Sequence, residues 1–249
     1  MSISEKTCWV VDLGLMAYQS TFDLQRRLVT ARKSGTLPDV LLLCEHPHVI
    51  TLGRNGKEEH LLASAHLLRQ MGVEFHSSDR GGDITYHGPG QIVGYPILNL
   101  AAIRRDVAWY VRQLEEAMIR ATAEFGILAG RKAGMTGVWV DAGRQASGGA
   151  EKLAAIGVHL SRWVTSHGFA YNVSTDLRYF DLIVPCGIAD KRATSLERLL
   201  GRAVRREEVA PRIVAHLRNV FERDMQMVSL ENLENALHEH EAPAAHAIA

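Results

Sequence analysis

Residues 151–173 have the sequence EKLAAIGVHLSRWVTSHGFAYNV, in which two strand-like segments, 153–160 and 166–173, flank a short polar connection. Small residues occur in both segments, at Ala155, Gly157, Gly168 and Ala170. On facing strands they would leave a groove into which a linear acyl chain fits. Close packing of the two strands explains the same residues without a ligand, and from these residues alone it is the stronger explanation.

Helical and strand patterns alternate around this pair of strands. A 3.6-residue apolar spacing predicts three helices, over residues 15–32, 107–125 and 209–221. Apolar runs and alternation predict five further strands, over residues 39–45, 48–52, 73–77, 91–98 and 136–142. Asp106 is the expected N-cap of the second helix, Gly126 ends it, and Pro96 predicts an edge position or an irregularity in its strand. The order of the elements, without a repeating period, favours a mixed α/β or α+β fold.

The domain organisation is expected to be simple. No linker-like composition divides residues 1–228, so they are predicted to form one domain. Residues 229–249 are predicted to hold a short helix through Leu230, Leu233 and Leu237, followed by a disordered tail with the sequence EAPAAHAIA.

The charges of the chain balance, with 28 Lys and Arg against 28 Asp and Glu in 249 residues. Binding to nucleic acid or to an anionic membrane generally needs a basic excess, so neither partner is expected. An acidic protein partner would still find local basic residues. These are Lys132, Lys191, Arg192, Arg202, Arg205 and Arg206.

The sequence predicts a cytoplasmic protein. The first ten residues lack the apolar core of a signal peptide. The longest nearly apolar stretch without charge, Gln91–Ile103, falls short of the roughly 20 residues that span a bilayer. The cysteines are widely separated and odd in number, which favours a reducing compartment over a disulfide framework.

The segment RGGDITYHGPGQ, residues 80–91, is rich in glycine. Glycine lets backbone amides approach a ligand closely, although a tight hairpin explains the Gly-Pro-Gly turn about equally well. Arg80, Tyr86 and His87 favour a binding site here. The segment matches neither GxxxxGK[ST] nor GxGxxG, so no nucleotide-phosphate loop is expected.

Cys186 is the candidate nucleophile of the chain. It lies in residues 184–188, VPCGI, where the neighbouring proline and glycine restrict the turn and clear space around the sulfur. Cys8 and Cys44 are instead expected to be small buried apolar residues.

A metal site is not expected. Residues 44–48, CEHPH, contain metal-ligand residue types. Pro47 disturbs helical spacing, however, and no second cluster of ligands has matching geometry.

Three motifs, RGGDITYHGPGQ, EKLAAIGVHLSRWVTSHGFAYNV and PCGI, together resemble the lipoyl(octanoyl) transferase family, also called octanoyl-[acyl-carrier-protein]:protein N-octanoyltransferase or lipoate–protein ligase B. The resemblance spans residues 40–200 and includes EHPHVITLGR upstream and Thr194-Ser195-Leu196 downstream. The motifs occur in the order and spacing of the family, which makes the resemblance specific.

The resemblance implies a single mixed α/β domain similar to the catalytic domains of biotin and lipoate ligases. It implies that octanoyl-acyl carrier protein is the donor. The implied acceptors are the lipoyl domains of 2-oxoacid dehydrogenases and the glycine-cleavage H protein. No cofactor is implied.

The resemblance also assigns residues. The family's acyl-accepting cysteine matches Cys186 and its essential lysine matches Lys152. Its substrate-contacting segments match Arg80, Gly81, Gly82, Asp83, Ile84, Thr85, Tyr86, His87, Ala155, Ile156, Gly157, Gly168, Phe169 and Ala170. Asp83 stands where many members carry another polar residue, and the chain beyond residue 228 has no counterpart in the family.

The implied chemistry agrees with the properties of a thiol. A free thiol has a pKa near 8.5, so a neighbouring ammonium such as Lys152 would stabilise the nucleophilic thiolate. Three alternatives stay open: an ATP-dependent ligase of the same fold, a cysteine hydrolase that pairs Cys186 with His167 or His159, and a non-catalytic acyl-binding module.

Overall fold

The computed structural model describes residues 4–141, 149–184 and 192–241. In chain order the strands are β1 Thr7–Leu15, β2 Asp39–Glu45, β3 Val49–Leu52, β4 Glu74–Ser77, β5 Ile84–His87, β6 Gln91–Ile97, β7 Ala129–Lys132, β8 Met135–Asp141, β9 Ala150–Ser161, β10 Val164–Asn172 and β11 Asp224–Met227. The helices are α1 Tyr18–Ser34, α2 Ala65–Gln70, α3 Val107–Ala123, α4 Leu196–Leu200, α5 Arg206–Phe221 and α6 Leu230–Glu241. Short 3-10 turns are Glu58–His60, Leu100–Ala102 and Leu177–Leu182.

Within these residues a large sheet of eight strands has the order β11-β1-β2-β6-β10-β9-β8-β7. Strand β1 pairs in parallel with β2 and β11, and the other pairs are antiparallel. Helices α3 and α5 cover one face with a core that includes Leu114 and Ile213. Helices α1 and α6 cover part of the other face with a core that includes Leu28 and Leu233. This mixed architecture confirms the predicted fold class.

A second, three-stranded sheet has the order β4-β3-β5 and forms its own small core with α2. The sequence predicted that residues 48–52 continue from strand 39–45. Val49–Leu52 instead leaves the large sheet and pairs with β4 and β5. The proline at position 47 lies at the point where the chain leaves one sheet for the other.

The other predicted elements need small corrections. The helix expected from residue 15 begins at Tyr18, because Leu15 still belongs to β1. Asp106 caps α3 as expected, since its side chain accepts a hydrogen bond from the backbone N–H of Trp109. Pro96 marks an irregularity and not an edge: β6 lies between β2 and β10, but its pairing with β10 stops at Gly94.

Helix α6 lies where the leucines at 230, 233 and 237 predict a helix. Leu233 and Leu237 are fully buried in the core that α1 and β1 also build. The division at residue 228 stays a prediction. The predicted tail begins at Glu241, which instead belongs to the end of α6, and residues 242–249 lie outside the described residues.

We expect α6 to contribute to the stability of the fold. Replacing Leu237 by Ala removes a fully buried side chain, which generally costs about 2–5 kcal/mol of unfolding free energy. The exposed Asn235 of the same helix provides a matched control, and Asn235→Ala should change stability by at most about 0.5 kcal/mol. Urea unfolding of the three proteins measures the difference. Equal stability of Leu237→Ala and the wild type would show that α6 does not stabilise the domain.

Candidate active site

A cavity of about 480 Å³ lies between the small sheet and the large one. Its base is formed by β6, β10 and β9 of the large sheet, and the glycine-rich segment together with β5 covers it. Within the described residues, its wall contains every residue that the sequence assigned to the site except Tyr86. Cys186 belongs to residues 185–191, which lie outside the described residues.

The small residues of the two central strands face each other as predicted. Ala170 lies opposite Ala155 in β9 and opposite Val93 in β6, and Gly168 lies opposite Gly157. The row Val93–Ala170–Ala155 thus presents short apolar side chains along the base of the cavity. Space for a ligand exists above this row.

The glycines serve a different purpose. A Cβ on Gly168 would lie 2.1 Å from the Gly94 carbonyl oxygen, and one on Gly157 would lie 2.9 Å from the Gly81 carbonyl oxygen. The backbone N–H of Gly81 donates to the Val158 carbonyl at 2.9 Å. At these two positions close backbone packing therefore explains the glycines, and the groove is open over the alanines.

Arg80 holds the glycine-rich segment against the small sheet. Its guanidinium is almost buried and donates to the Thr51 carbonyl at 2.7 Å, to the Thr51 hydroxyl at 2.9 Å and to the Gly81 carbonyl at 3.1 Å. A buried charge that is hydrogen-bonded in this way stabilises the conformation of the loop. On the far side of the loop, a carboxylate oxygen of Asp83 lies 2.7 Å from His60 Nδ1.

Strand alternation separates the two aromatic residues of this segment. His87 lines the cavity, whereas Tyr86 lies in the core of the small sheet, where its hydroxyl is 2.7 Å from His48 Nδ1 and its ring stacks on Tyr179. Tyr86 thus supports the cavity wall from behind. Gly88 permits this arrangement, because a Cβ there would collide with the Tyr86 hydroxyl.

His87 begins a chain of buried hydrogen bonds at the cavity wall. Its Nδ1 is 2.8 Å from the Gln91 side-chain oxygen, the Gln91 amide donates to Asn172 at 2.9 Å, and Asn172 donates to the Thr194 carbonyl at 2.9 Å. Because the Gln91 oxygen accepts, the neutral His87 ring carries its proton on Nδ1. Burial, reinforced by the neighbouring His46, lowers the pKa of His87 to about 3.

Three residues that sequence reasoning did not assign to substrate binding also line the cavity. Tyr95 donates its hydroxyl proton to His46 at 2.8 Å, and Tyr18 donates to Ser78 at 3.0 Å. His167 Nε2 lies 2.7 Å from Asp79, while burial lowers the pKa of His167. His167 has a left-handed φ of 56°, an uncommon conformation that marks the bend in β10 but that no local sequence signal predicts.

Lys152 marks the opposite end of the cavity. Its Nζ lies 4.7 Å from the centre of the Trp139 ring. Residues 192–194 run beside it and form an isolated parallel β-bridge: the N–H of Lys152 donates to the Arg192 carbonyl and the N–H of Thr194 donates to the Lys152 carbonyl, both at 2.9 Å. Arg192 and Ala193 line the cavity after the segment 185–191, and Phe180 lines it before that segment.

The histidines and Lys152 are far apart along the cavity. His167 lies opposite Val158 in β9, six residues from Lys152, which is about 20 Å at the usual strand rise. His159 lies one residue further. A base at this end does not reach a reaction that takes place beside Lys152.

Within residues 4–141, 149–184 and 192–241, no group of three or more His, Cys, Asp or Glu side chains is arranged to hold a metal ion. None of the helices in these ranges has the length and hydropathy of a membrane span.

The fold and the cavity define a catalytic domain of the lipoate-ligase type. Residues 17–218 match the family model described as lipoyl protein ligase A/B catalytic domain, and the chain belongs to that family. An octanoyltransferase of Solibacter usitatus is 53% identical over 88% of this chain and 96% of its own length. An octanoyltransferase of Koribacter versatilis is 49% identical over 92% of this chain and 89% of its own.

A solved structure shows the same fold at low sequence identity. The bipartite lipoate protein ligase of the archaeon Thermoplasma acidophilum superimposes with a TM-score of 0.72 at 15% identity, covering 94% of this chain and 91% of that one. The single mixed α/β domain predicted from the resemblance is confirmed.

We expect Gly157 to be required for the contact between the two sheets. Gly157→Ala places a Cβ 2.9 Å from the Gly81 oxygen and 3.1 Å from Arg80 Cδ, so the glycine-rich segment must shift. Overpacking of this kind costs about 1–3 kcal/mol. Gly130→Ala in β7 is the control, because nothing lies within 4 Å of a Cβ there. Urea unfolding compares the two variants, and equal stability would contradict the proposed close approach.

We expect His87 to make the fold sensitive to acid. Above pH 6.5 the ring is neutral in folded and unfolded chains, but below it the unfolded chain gains a proton that the folded one, with a pKa of about 3, does not. The free energy of unfolding therefore falls as the pH drops from 6.5 towards 3, by about 2 kcal/mol at pH 5 from this residue alone. His87→Gln keeps a donor for Gln91 without titrating, so its loss of stability between pH 7.5 and 5 should be smaller by that amount. An unchanged loss would contradict the assignment.

Proposed function

We propose that this acyltransferase moves an octanoyl group through Cys186 onto a lysine of a protein acceptor. The observation that carries the proposal is the position of Lys152 in the wall of a largely apolar cavity, bridged to residues 192–194, which follow the cysteine segment. The octanoyltransferases that match the whole catalytic domain support the acyl group.

The acyl chain is proposed to lie over the row of small residues. An octanoyl chain is on the order of 10 Å long by ordinary covalent geometry. With its carbonyl beside Lys152, it would reach over Ala155 and Ala170, about three residues along β9. Burial of the methylenes on this base supplies the binding energy.

The reaction is proposed to have two steps. The Lys152 ammonium stabilises the Cys186 thiolate, which attacks the thioester carbonyl of the donor. A new thioester forms on Cys186, the carbon–sulfur bond to the donor breaks, and Lys152 gives its proton to the departing donor thiolate. The neutral amine of the acceptor lysine then attacks the Cys186 thioester, an amide forms, Cys186 leaves as a thiolate, and the now neutral Lys152 takes the proton that the amine loses.

This sequence needs no nucleotide. The first step exchanges one thioester for another at little cost in free energy, and the second converts a thioester into a more stable amide. The donor thioester thus supplies the activation that a ligase would obtain from ATP. We propose octanoyl-acyl carrier protein as the donor, and lipoyl domains of 2-oxoacid dehydrogenases and the glycine-cleavage H protein as acceptors.

A cysteine hydrolase is the less well supported alternative. It would need His167 or His159 as a base for water, but in the register of β9 these two residues lie six and seven positions from Lys152. We place the reaction in the cytoplasm, where thiols stay reduced, and Cys186 as a nucleophile requires a free thiol.

The central test combines transfer without ATP and intact mass. Wild-type protein mixed with octanoyl-acyl carrier protein should gain about 126 Da, the mass of an octanoyl group that replaces a thiol proton. Addition of a lipoyl domain should discharge the adduct to the domain without ATP. Cys186→Ser should form no thioester, and Lys152→Ala should lose at least about 100-fold in rate.

Matched variants make this test specific. Lys132→Ala removes a second lysine near the same Trp139 ring and should stay near wild-type activity. Cys8→Ala removes a fully buried thiol whose pKa is raised by burial, and it should keep the adduct. Lys152→Arg separates charge from proton transfer, since arginine keeps the charge but rarely gives up a proton. Normal turnover of Cys186→Ser, or an absolute need for ATP and free octanoate, would contradict the proposed function.

A further inference from the structure

The contact between Lys152 and Trp139 depends on an irregularity of the sheet. Trp139 lies directly opposite Lys152, whereas the preceding Val138 lies opposite Ala154. Strand β9 therefore contains one extra residue, Leu153, between these two pairs. A β-bulge of this kind re-aims the neighbouring side chain, and here the neighbour is Lys152.

The backbone of the bulge lies very close to Gly137 in β8. A Cβ at that position would lie 2.5 Å from the Ala154 carbonyl oxygen and 3.5 Å from Lys152 Cε. Gly137 also has a φ of 128°, which side-chain-bearing residues rarely adopt. The shape of β8 at Gly137 thus determines where the backbone and the side chain of Lys152 lie.

A buried carboxylate from another layer holds Gly137 in this shape. Glu115, in the middle of α3, accepts a hydrogen bond from the Gly137 N–H at 3.0 Å. Its other carboxylate oxygen pairs with Arg131 at 3.0 Å. A buried backbone N–H without such an acceptor is costly, so the carboxylate stabilises the bulged arrangement over a regular ladder.

The Trp139 ring is the group that the Lys152 ammonium contacts in this arrangement. The indole is almost buried and its N–H donates to the Met135 carbonyl at 3.2 Å, which fixes the ring. The Lys152 Nζ lies 4.7 Å from the centre of this ring, where a cation is attracted to the face of the indole.

We propose that Glu115 is a positioning residue for Lys152: it holds the bulge at Leu153 through Gly137 and thereby sets the ammonium against Trp139. This inference rests on the proposed function, in which Lys152 activates Cys186. Glu115 does not line the cavity and touches no reacting atom. It acts through the sheet.

The chain offers a matched control for Glu115. The adjacent Glu116 pairs with the same Arg131, at 2.8 Å, but lies on the more exposed side of α3. Glu115→Met removes the acceptor for Gly137 at nearly constant volume, and Glu115→Gln keeps an acceptor oxygen. Glu116→Met removes ion pairs to Arg131 and Arg120 without touching Gly137.

Two readouts report on Lys152 separately from stability. The first is the single-turnover rate of Cys186 acylation, followed by intact mass. The second is the pH dependence of Cys186 alkylation by iodoacetamide. The alkylation reports on one thiol, because Cys8 and Cys44 are fully buried and burial raises the pKa of both.

We expect Glu115→Met to slow acylation by about 10-fold to 100-fold, the range that small misplacements of catalytic groups produce. Its alkylation profile should move to higher pH, because the thiolate loses its partner. The acylation rate of Glu115→Gln should stay within about threefold of the wild-type rate. Glu116→Met should acylate at the wild-type rate. Trp139→Leu should reproduce the effect of Glu115→Met, and the double variant should be no slower than the slower single variant, since both act through one contact.

The inference is overturned if folded Glu115→Met keeps the wild-type acylation rate and alkylation profile, if Glu116→Met is equally slow, or if the effects of Glu115→Met and Trp139→Leu multiply. If Glu115→Met does not fold, Trp139→Leu and Glu115→Gln provide the test. The inference is then overturned if Trp139→Leu keeps the wild-type pH profile of Cys186 alkylation. It is also overturned if the alkylation profile of Glu115→Gln shifts as far as that of Trp139→Leu. The proposed function fails separately, if wild-type Cys186 forms no octanoyl adduct.

Discussion

The close backbone contact between Gly81 and β9 is the constraint on which the site depends. The N–H of Gly81 bonds to Val158, and no Cβ fits between Gly157 and the Gly81 carbonyl. This contact joins the three-stranded sheet to the eight-stranded one. It brings a glycine-rich cover over β9 and β10 and encloses the space between them. A side chain at Gly157 would push the cover outward and open the cavity to water.

The same contact divides the cavity into two ends with different electrostatics. Near Arg80 the guanidinium is bonded to Thr51 and Gly81, and burial keeps His87 and His167 largely neutral. At the other end Lys152 is set against an indole ring. Between them Ala155 and Ala170 present little more than methyl groups. The polar end at Lys152 is suited to a thioester carbonyl, and the apolar base at Ala155 and Ala170 is suited to a hydrocarbon chain.

Stability and catalysis are linked in the layer behind the sheet. Glu115 lies in the core helix α3, yet its carboxylate determines the shape of β8 opposite Lys152. A buried carboxylate that pairs with Arg131 is usually attributed to folding alone. Here the Glu115 carboxylate also affects the site. Its hydrogen bond to Gly137 stabilises the bulge in β9, and the bulge directs the Lys152 side chain into the cavity.

Much of this protein follows from the sequence by itself. The spacing of apolar residues predicts the strands on both sides of the turn at Arg162 and Trp163 and the helices α3 and α5, because periods of 2 and 3.6 depend on local geometry alone. The resemblance in three motifs identifies the family, and the small residues on the two strands predict a groove or close packing between them. Pro96 predicts an edge position or an irregularity, without distinguishing the two. These are properties that neighbouring residues or motif spacing determine.

Only the tertiary structure decided the rest. It placed Val49–Leu52 in a second sheet, turned Tyr86 away from the cavity and assigned the glycines at 157 and 168 to backbone packing. It also brought Glu115, His167 and Trp139 into the neighbourhood of the site. Each of these depends on which backbone or side chain lies opposite across 20 to 90 residues of sequence. No local period encodes such a pairing, because the distance of closest approach between two layers is settled only when the whole core has packed.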